Sequence, residues 1–281
     1  MFNIEVLDAS CGAEITGIDL SQSLSAQVVS KIRKAWLSHH VLVFRNQQLD
    51  KSDLERFTLY FGDFGEDPFF KPIQGHKHIA AIRRTASEAT PLFAENWHTD
   101  WSFQPKPPIG TCLYGVKIPP VGGDTLFSNQ HAAYRNMPST LKARVQHLTA
   151  IHSASSAYSL DGVYSDKRKE NIGRGMDIVV SEDALATQTH PLVRPHTETG
   201  ELAIYSTAGY IQGFVGLDQN ESKDLLDELY RHQGSLQFVY RHKWQPGTLV
   251  IWDNRSILHK ATGGYDGYER LLYRTTISER L

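Results

Sequence analysis

Only two cysteines, Cys11 and Cys112, occur in 281 residues. That is too few for a disulfide framework, and they lack the clustered spacing of a zinc site; they read as reduced, buried thiols. Neither sign of charge dominates: 29 Lys and Arg stand against 31 Asp and Glu, a formal net charge of −2, which leaves no electrostatic footprint for nucleic acid. There is no run of 18 apolar residues, so no membrane-spanning helix is expected. The opening MFNIEVLDASCGAEI lacks the basic stretch and apolar core of a secretory leader, and the expectation is a cytoplasmic protein. Internal repeats and low-complexity tails are missing as well.

What is present is an ordinary globular composition, 40% hydrophobic and 21% charged. The length suits one large β-rich domain with helical insertions spanning 1–281. Ser25 is placed to cap a helix through AQVVSKIRKAWLS, where Val28, Val29, Ile32 and Trp36 recur at helical spacing. Asp50 can cap a second helix, KSDLERFTLYF, and Glu221 to His232 form a third with Leu225, Leu226 and Leu229 on one face. VLVFR (41–45) reads as a buried strand. Further short β-type runs follow: IAAIRR, GTCLYGVKI, DTLFSN, ELAIYS, LQFVYRH, TLVIWDN and RLLYRTTI, punctuated by Gly, Pro, Asn and Asp. This rhythm predicts a β-sandwich or jelly roll. The polar, weakly periodic stretch 153–183 is the candidate for a mobile loop or lid.

In ENWHTDWSF, His98 and Asp100 are separated by one residue. On an extended strand they would share a face and converge on one ion. By itself the pair carries little, because a histidine more often satisfies a local hydrogen bond. A third ligand is best supplied by His259, which follows the apolar run TLVIWDNRSIL and precedes the turn ATGGYDG; His131, His147, His152, His190 and His196 read as surface or packing residues. Two histidines and a carboxylate on one face of an octahedral ion leave open positions of the kind Fe(II) oxygenases use. In ERLLYRTTI, Arg270 and Arg274 would point to one face of a strand, shared with Leu272 and Thr276. Inward cations are costly unless anions meet them, so this pattern asks for anionic ligands; the bland alternative is two exposed arginines on an edge strand. An arginine fork binds a carboxylate through two parallel hydrogen bonds, and Thr125 in GGDTLFS could add a hydroxyl donor.

Taken together, VLVFRNQQL, NWHTDWSF, GGDTLFSN, WQPGTLVIWDNRSILHKA and YERLLYRTTI resemble, in order and spacing, the taurine dioxygenase and 2,4-dichlorophenoxyacetate dioxygenase family. The resemblance implies a mainly β fold, a double-stranded β-helix of the jelly-roll, cupin-like kind. It implies Fe(II) held by His98, Asp100 and His259, with O2 and 2-oxoglutarate as co-substrates. Thr125 and Arg270 would bind the distal carboxylate of 2-oxoglutarate, and Arg274 the substrate's anionic group. The substrate would be a small anionic organic molecule: a sulfonate, sulfate ester, aryloxyalkanoate or related carboxylate. A homo-oligomer, dimer or tetramer, is implied too. Trp101, Phe103 and Tyr210 are candidate pocket residues, with Trp97 beside them.

The chain departs from the taurine enzyme's pattern. In FGDFGEDPFF, Asp67 stands where that enzyme has a sulfonate-binding histidine, Trp101 is bulkier than its counterpart, and Ala94 replaces an asparagine, with Asn96 close by. Two other readings use the same residues. One is a cupin-type metal-dependent hydrolase or isomerase, the other a non-enzymatic barrel that captures an anion. Arg270 and Thr125 favour the 2-oxoglutarate enzyme over the first, and the intact triad favours it over the second, since structural zinc sites usually close their fourth position with another protein ligand.

Overall fold

The computed structural model describes residues 2–280. A hairpin of β1 (Asn3–Val6) and β2 (Ala13–Thr16) leads into helix α1 (Ala26–His39). Ser25 caps α1 by accepting from the Val28 amide, which satisfies one of the free donors of the first turn. After β3 (Val41–Phe44), helix α2 (Lys51–Leu59) begins with a capping box of Asp50 and Asp53. Next come β4 (Asp63–Phe64), β5 (Ala80–Arg84), β6 (Gly110–Lys117), β7 (Thr125–Asn129) and the short helices α3 (Gln130–Arg135) and α4 (Ser139–Val145). β8 (Thr149–Ser153) and α5 (Ser155–Tyr158) open the stretch predicted as a loop, which ends before β9 (Thr187–Pro191). β10 (Val193–Pro195), β11 (Leu202–Ile204) and β12 (Ile211–Phe214) precede α6 (Gln219–Gln233). That helix starts two residues before the predicted Glu221, because Asp218 caps it and Glu221 completes the capping box. β13 (Val239–His242), β14 (Leu249–Asp253), β15 (Ile257–Ala261) and β16 (Arg270–Ser278) complete the fold.

The large sheet runs β1-β2-β3-β14-β6-β16-β4, with β5 also paired to β16. Its central strands are buried on both faces, which is why they read as continuous apolar runs rather than as an alternation. Val41, Val43, Leu113, Val250, Trp252 and Leu272 point one way and pack on Phe127 and Ile257 of the small sheet β13-β7-β15. Leu42, Phe44, Leu249 and Ile251 point the other way, against Ile32, Trp36, Leu54 and Phe57 of α1 and α2. A second small sheet, β12-β8-β9, is covered by α3, α4 and α6 through Leu141, Phe214, Leu225 and Leu229. The arrangement is a jelly roll with helices outside the large sheet. The site lies inside, where β15 and β7 of the small sheet face β16 of the large one. Cys11 and Cys112 are free and buried, and burial pushes both thiols up to about 12. Among the described residues, no helix is long and apolar enough to cross a membrane.

Candidate metal centre

His259 lies mid-strand on β15, while His98 and Asp100 come from the long connection between β5 and β6. The segment containing them is not the extended strand expected from the sequence. His98 forms a single antiparallel bridge with His259, its amide donating to the His259 carbonyl at 3.0 Å and the His259 amide donating back at 2.7 Å. The chain then turns, with Trp101 in the left-handed region at φ 49°. The bridge sets the two imidazoles side by side, tilted by 45° with ring centroids 4.1 Å apart, and the turn brings the carboxylate back to them. Asp100 Oδ1 lies 3.9 Å from His98 Nε2 and 3.8 Å from His259 Nε2. Bonds of roughly 2 Å to one ion span such separations. Among the described residues, this is the only group of His, Cys, Asp or Glu side chains whose ligand atoms converge in this way.

Neighbouring groups orient the donors. His98 Nδ1 donates to the Asn96 carbonyl at 2.9 Å, which leaves the Nε2 lone pair for a metal. A hydrogen-bond chain runs in one direction toward Asp100: Trp252 Nε1 donates to Asn254 Oδ1 at 2.9 Å, Asn254 Nδ2 to Thr111 Oγ1 at 2.9 Å, and Thr111 Oγ1 to Asp100 Oδ2 at 2.6 Å. Only Oδ1 remains to face the histidines. Burial lowers the pKa of His98 and brings His259 down to about 3, so both imidazoles are neutral at pH 7 and able to ligate. Burial alone would raise the Asp100 carboxyl, but its interactions with His259, Arg274 and His98 and the hydrogen bond from the Thr111 hydroxyl outweigh it and hold the group low. Two neutral imidazoles and one ionised carboxylate on one side of an ion match a facial Fe(II) site.

At the start of β16, Arg270 is buried with 6% exposure. Its only hydrogen bond runs from Nη2 to the Gly123 carbonyl at 3.2 Å, Nε has no partner, and among the described residues no carboxylate pairs with it. The rings of Tyr265 and Trp244 flank it at 5.9 and 6.0 Å. Burial pushes the guanidinium pKa down, and Tyr265 and Asp124 oppose this only in part. Thr125 Oγ1 accepts from Trp244 Nε1 at 2.9 Å, so its own proton is free to be donated. The turn before it needs glycine: at Gly123, with φ 68°, a Cβ would sit 3.2 Å from Arg270 Nε.

The two β16 arginines, expected alike to ask for external anions, differ in their internal partners: Arg270 has no carboxylate partner among the described residues, and Arg274 has one. Arg274 Nη2 donates to Asp67 Oδ1 at 2.8 Å, and Asp67 Oδ1 also accepts from Trp101 Nε1 at 2.5 Å.

Two cavities meet at His98. One, of about 60 Å³, is lined by Thr125, Trp252, Tyr265, Arg270 and Arg274 together with both histidines. The other, of about 280 Å³, is lined by Asn96, Ala157, Tyr158, Tyr164 and Tyr210. Leu92, Phe93, Ala94 and His98 belong to both. Tyr210 therefore reaches a cavity wall. Trp101 and Phe103 stand behind it in an aromatic cluster with Phe69, Phe70 and Tyr158, while Trp97 lies beneath Lys260, 5.2 Å from its Nζ. Sequence reasoning missed Thr111, Asn254, Trp244 and Tyr265. The strand run GTCLYGVKI marks Thr111 only as an inward position, and nothing local tells which carboxylate it meets.

The model of the family described as taurine catabolism dioxygenase TauD, TfdA matches residues 3–276. The chain is 33% identical over 273 residues to an alkylsulfatase of Acinetobacter baylyi, covering 97% of this chain and 83% of that protein. It is 33% identical over 268 residues to an alpha-ketoglutarate-dependent 2,4-dichlorophenoxyacetate dioxygenase of Cupriavidus pinatubonensis, with 88% of each covered. The crystal structure of a taurine dioxygenase from Burkholderia xenovorans matches with a TM-score of 0.81 and 30% identity, over 100% of this chain and 92% of that one. The chain belongs to the TauD/TfdA family of 2-oxoglutarate-dependent dioxygenases.

Proposed function

We propose that the chain hydroxylates a small anionic organic substrate, with His98, Asp100 and His259 holding Fe(II) and Arg270 and Thr125 holding the distal carboxylate of 2-oxoglutarate. The observation that carries this reading is the buried, unpaired Arg270 in the same cavity as the two histidines. A buried cation without a counter-charge costs several kcal/mol, and a dicarboxylate co-substrate supplies the missing anion. The relatives named alkylsulfatase and 2,4-dichlorophenoxyacetate dioxygenase are named for anionic substrates, which supports an anionic substrate here, received next to Arg274.

With O2 and 2-oxoglutarate, bound Fe(II) supplies the oxidising power to hydroxylate a C–H bond, while 2-oxoglutarate is split into succinate and CO2. The chain's residues position and exclude. Thr111 holds Asp100 so that one oxygen points at the histidines. Arg270 and Thr125 offer N–H and O–H donors from two strands that face each other, which sets the direction of the co-substrate in the cavity. Trp252, Tyr265 and Leu113 line the co-substrate side with apolar surface and keep water from it. The body of the substrate occupies the second cavity, against Tyr210 and the segment 153–183, whose Tyr158 and Tyr164 form its wall, and its anionic group reaches past His98 to Arg274 in the first cavity; closure of this segment over the substrate is part of the proposal.

Succinate release tests this reading: anaerobically iron-loaded protein is exposed to O2, 2-oxoglutarate and a panel of alkyl sulfonates, sulfate esters, aryloxyalkanoates and small carboxylates. Release above the substrate-free background from one class is expected. His98→Ala and Asp100→Ala should each abolish it, and full activity in either variant refutes the ligand assignment. Turnover with Zn(II) and without O2 would instead support the hydrolase or isomerase reading.

A further inference from the structure

Asp67 has no part in the chemistry just described, yet it sits on the residue that chemistry needs for substrate. It comes from the loop between β4 and β5, and its side chain is 15% exposed against 6% for Arg274. Two donors hold Oδ1, Arg274 Nη2 at 2.8 Å and Trp101 Nε1 at 2.5 Å. The guanidinium plane is fixed by the rings of Phe70 and Trp101, 4.6 and 5.0 Å from its centre. Charge in the loaded site gives the pair its meaning. The charges of Fe(II), Arg270 and Arg274 exceed those of Asp100 and 2-oxoglutarate by one, which is the excess a single substrate anion would cancel. Asp67 already cancels it, so a second anion entering this buried space meets no net positive charge.

We propose that Asp67 is a specificity-determining residue acting as an in-chain competitor: a substrate places its anionic group on Arg274 only by displacing the Asp67 carboxylate. This rests on the dioxygenase reading with an anionic substrate, and it names what that substrate must bring. Asp67 engages Arg274 through one N–H, while Arg274 Nε is buried with no partner. An anion with two oxygens, a carboxylate, sulfonate or sulfate, can take Nε and Nη2 together as a fork and so outcompete a single contact. The Asp67 loop is joined to segment 153–183 by Lys71 N–H to the Asp177 carbonyl at 3.0 Å and Val179 N–H to the Phe69 carbonyl at 2.9 Å. The Phe69 ring stacks on Tyr158 with centroids 4.7 Å apart.

The test is titration of methanesulfonate, followed calorimetrically, into full-length protein carrying Mn(II) and 2-oxoglutarate without oxygen. Asp67→Asn keeps the acceptor for Trp101 and removes the charge; Asp67→Ser removes both charge and bulk, and serves if the first variant fails to fold. Each is expected to bind methanesulfonate at least tenfold more tightly than the parent, and adding Arg274→Gln should abolish the gain. Unaltered affinity in folded Asp67→Asn or Asp67→Ser overturns the proposal, as does a gain that survives Arg274→Gln. Substrate-free succinate formation by the parent protein is measured alongside. That formation is a background only; failure of the Mn(II)-loaded parent to bind 2-oxoglutarate in the same calorimeter counts against the dioxygenase reading, whereas the methanesulfonate titration decides the role of Asp67 independently.

Discussion

Replacing Arg270 by glutamine removes a buried cation and leaves a hydrogen-bonding side chain of similar reach. In the protein without ligand, the guanidinium makes one hydrogen bond, to the Gly123 carbonyl, and no ion pair among the described residues; its removal relieves a desolvation cost, so melting without 2-oxoglutarate should not fall. Binding should suffer. A carboxylate gripped by two charged hydrogen bonds at about 1.5–3 kcal/mol each loses both, and even with partial replacement by the amide a loss of about 3 kcal/mol is expected. At 1.4 kcal/mol per factor of ten, the KM for 2-oxoglutarate rises by roughly a hundredfold. Two assays read this together: succinate release against 2-oxoglutarate concentration, and thermal melting of the Mn(II)-loaded protein with and without 2-oxoglutarate. The parent protein at 100 times its dissociation constant should gain about 2.7 kcal/mol of stability from the ligand, several degrees in Tm, and the variant at the same concentration should gain almost none. The reasoning fails if Arg270→Gln melts several degrees lower without ligand while its KM for 2-oxoglutarate is unchanged, because Arg270 would then be a structural residue.

Thr111→Val takes the donor from Asp100 Oδ2 and the acceptor from Asn254; metal affinity in a Co(II) titration should drop about 10- to 100-fold, the usual effect of losing a group that orients a ligand, with Thr111→Ser restoring most of it and unchanged affinity of the valine variant contradicting it. Trp244→Phe frees Thr125 Oγ1 from its fixed donor and should raise the KM for 2-oxoglutarate by about two- to tenfold at nearly constant kcat, since one neutral hydrogen bond is worth about 0.5–1.5 kcal/mol; equal KM values would dismiss the positioning role. Acid should unfold the protein early: His40, His152 and His242 are buried and burial lowers them to about 4, about 3 and about 3. The unfolded chain takes up these protons near the ordinary value and the folded chain refuses them, so stability is full above that value and is lost as pH falls toward 3, by at most about 1.4 kcal/mol per pH unit for each imidazole. A urea midpoint unchanged between pH 7.5 and 5 would show that these histidines do not differ between the two states.

Much of the fold was legible because burial on both faces leaves no polar positions in a strand. VLVFR and TLVIWDN stand out as apolar runs, and the structure buries Val41 to Phe44 and Leu249 to Asp253 throughout. The helix starts were legible through Ser25 and Asp50, whose side chains cap the first turn. Sheet order was not, because β3 pairs with β14, and β6 lies between β14 and β16; such pairings are set by packing between distant segments rather than by local pattern. The metal centre was legible in its members and not in its form. His98 and Asp100 do converge with His259, but through one bridge and a turn that the spacing of two residues cannot distinguish from a strand.

The two β16 arginines show most clearly where a local pattern stops deciding. Arg270 and Arg274 have the same residue type, the same strand face and nearly the same burial, 6% and 5%, so the periodicity of ERLLYRTTI gives them one electrostatic demand. The fold answers it twice and differently. The neighbourhood of Arg270 supplies two aromatic rings, a carbonyl and a threonine, leaving its charge for a ligand. The neighbourhood of Arg274 supplies Asp67, 207 positions away in the chain. Which inward cation is available to a ligand depends on a loop whose own sequence, FGEDPFF, carries no periodic signal. A motif can therefore name the residues of such a site, and only the sum of buried charges tells which of them still has a partner to find. If that sum governs recognition here, replacing one loop carboxylate should alter what the pocket accepts more than replacing any aromatic residue of its wall.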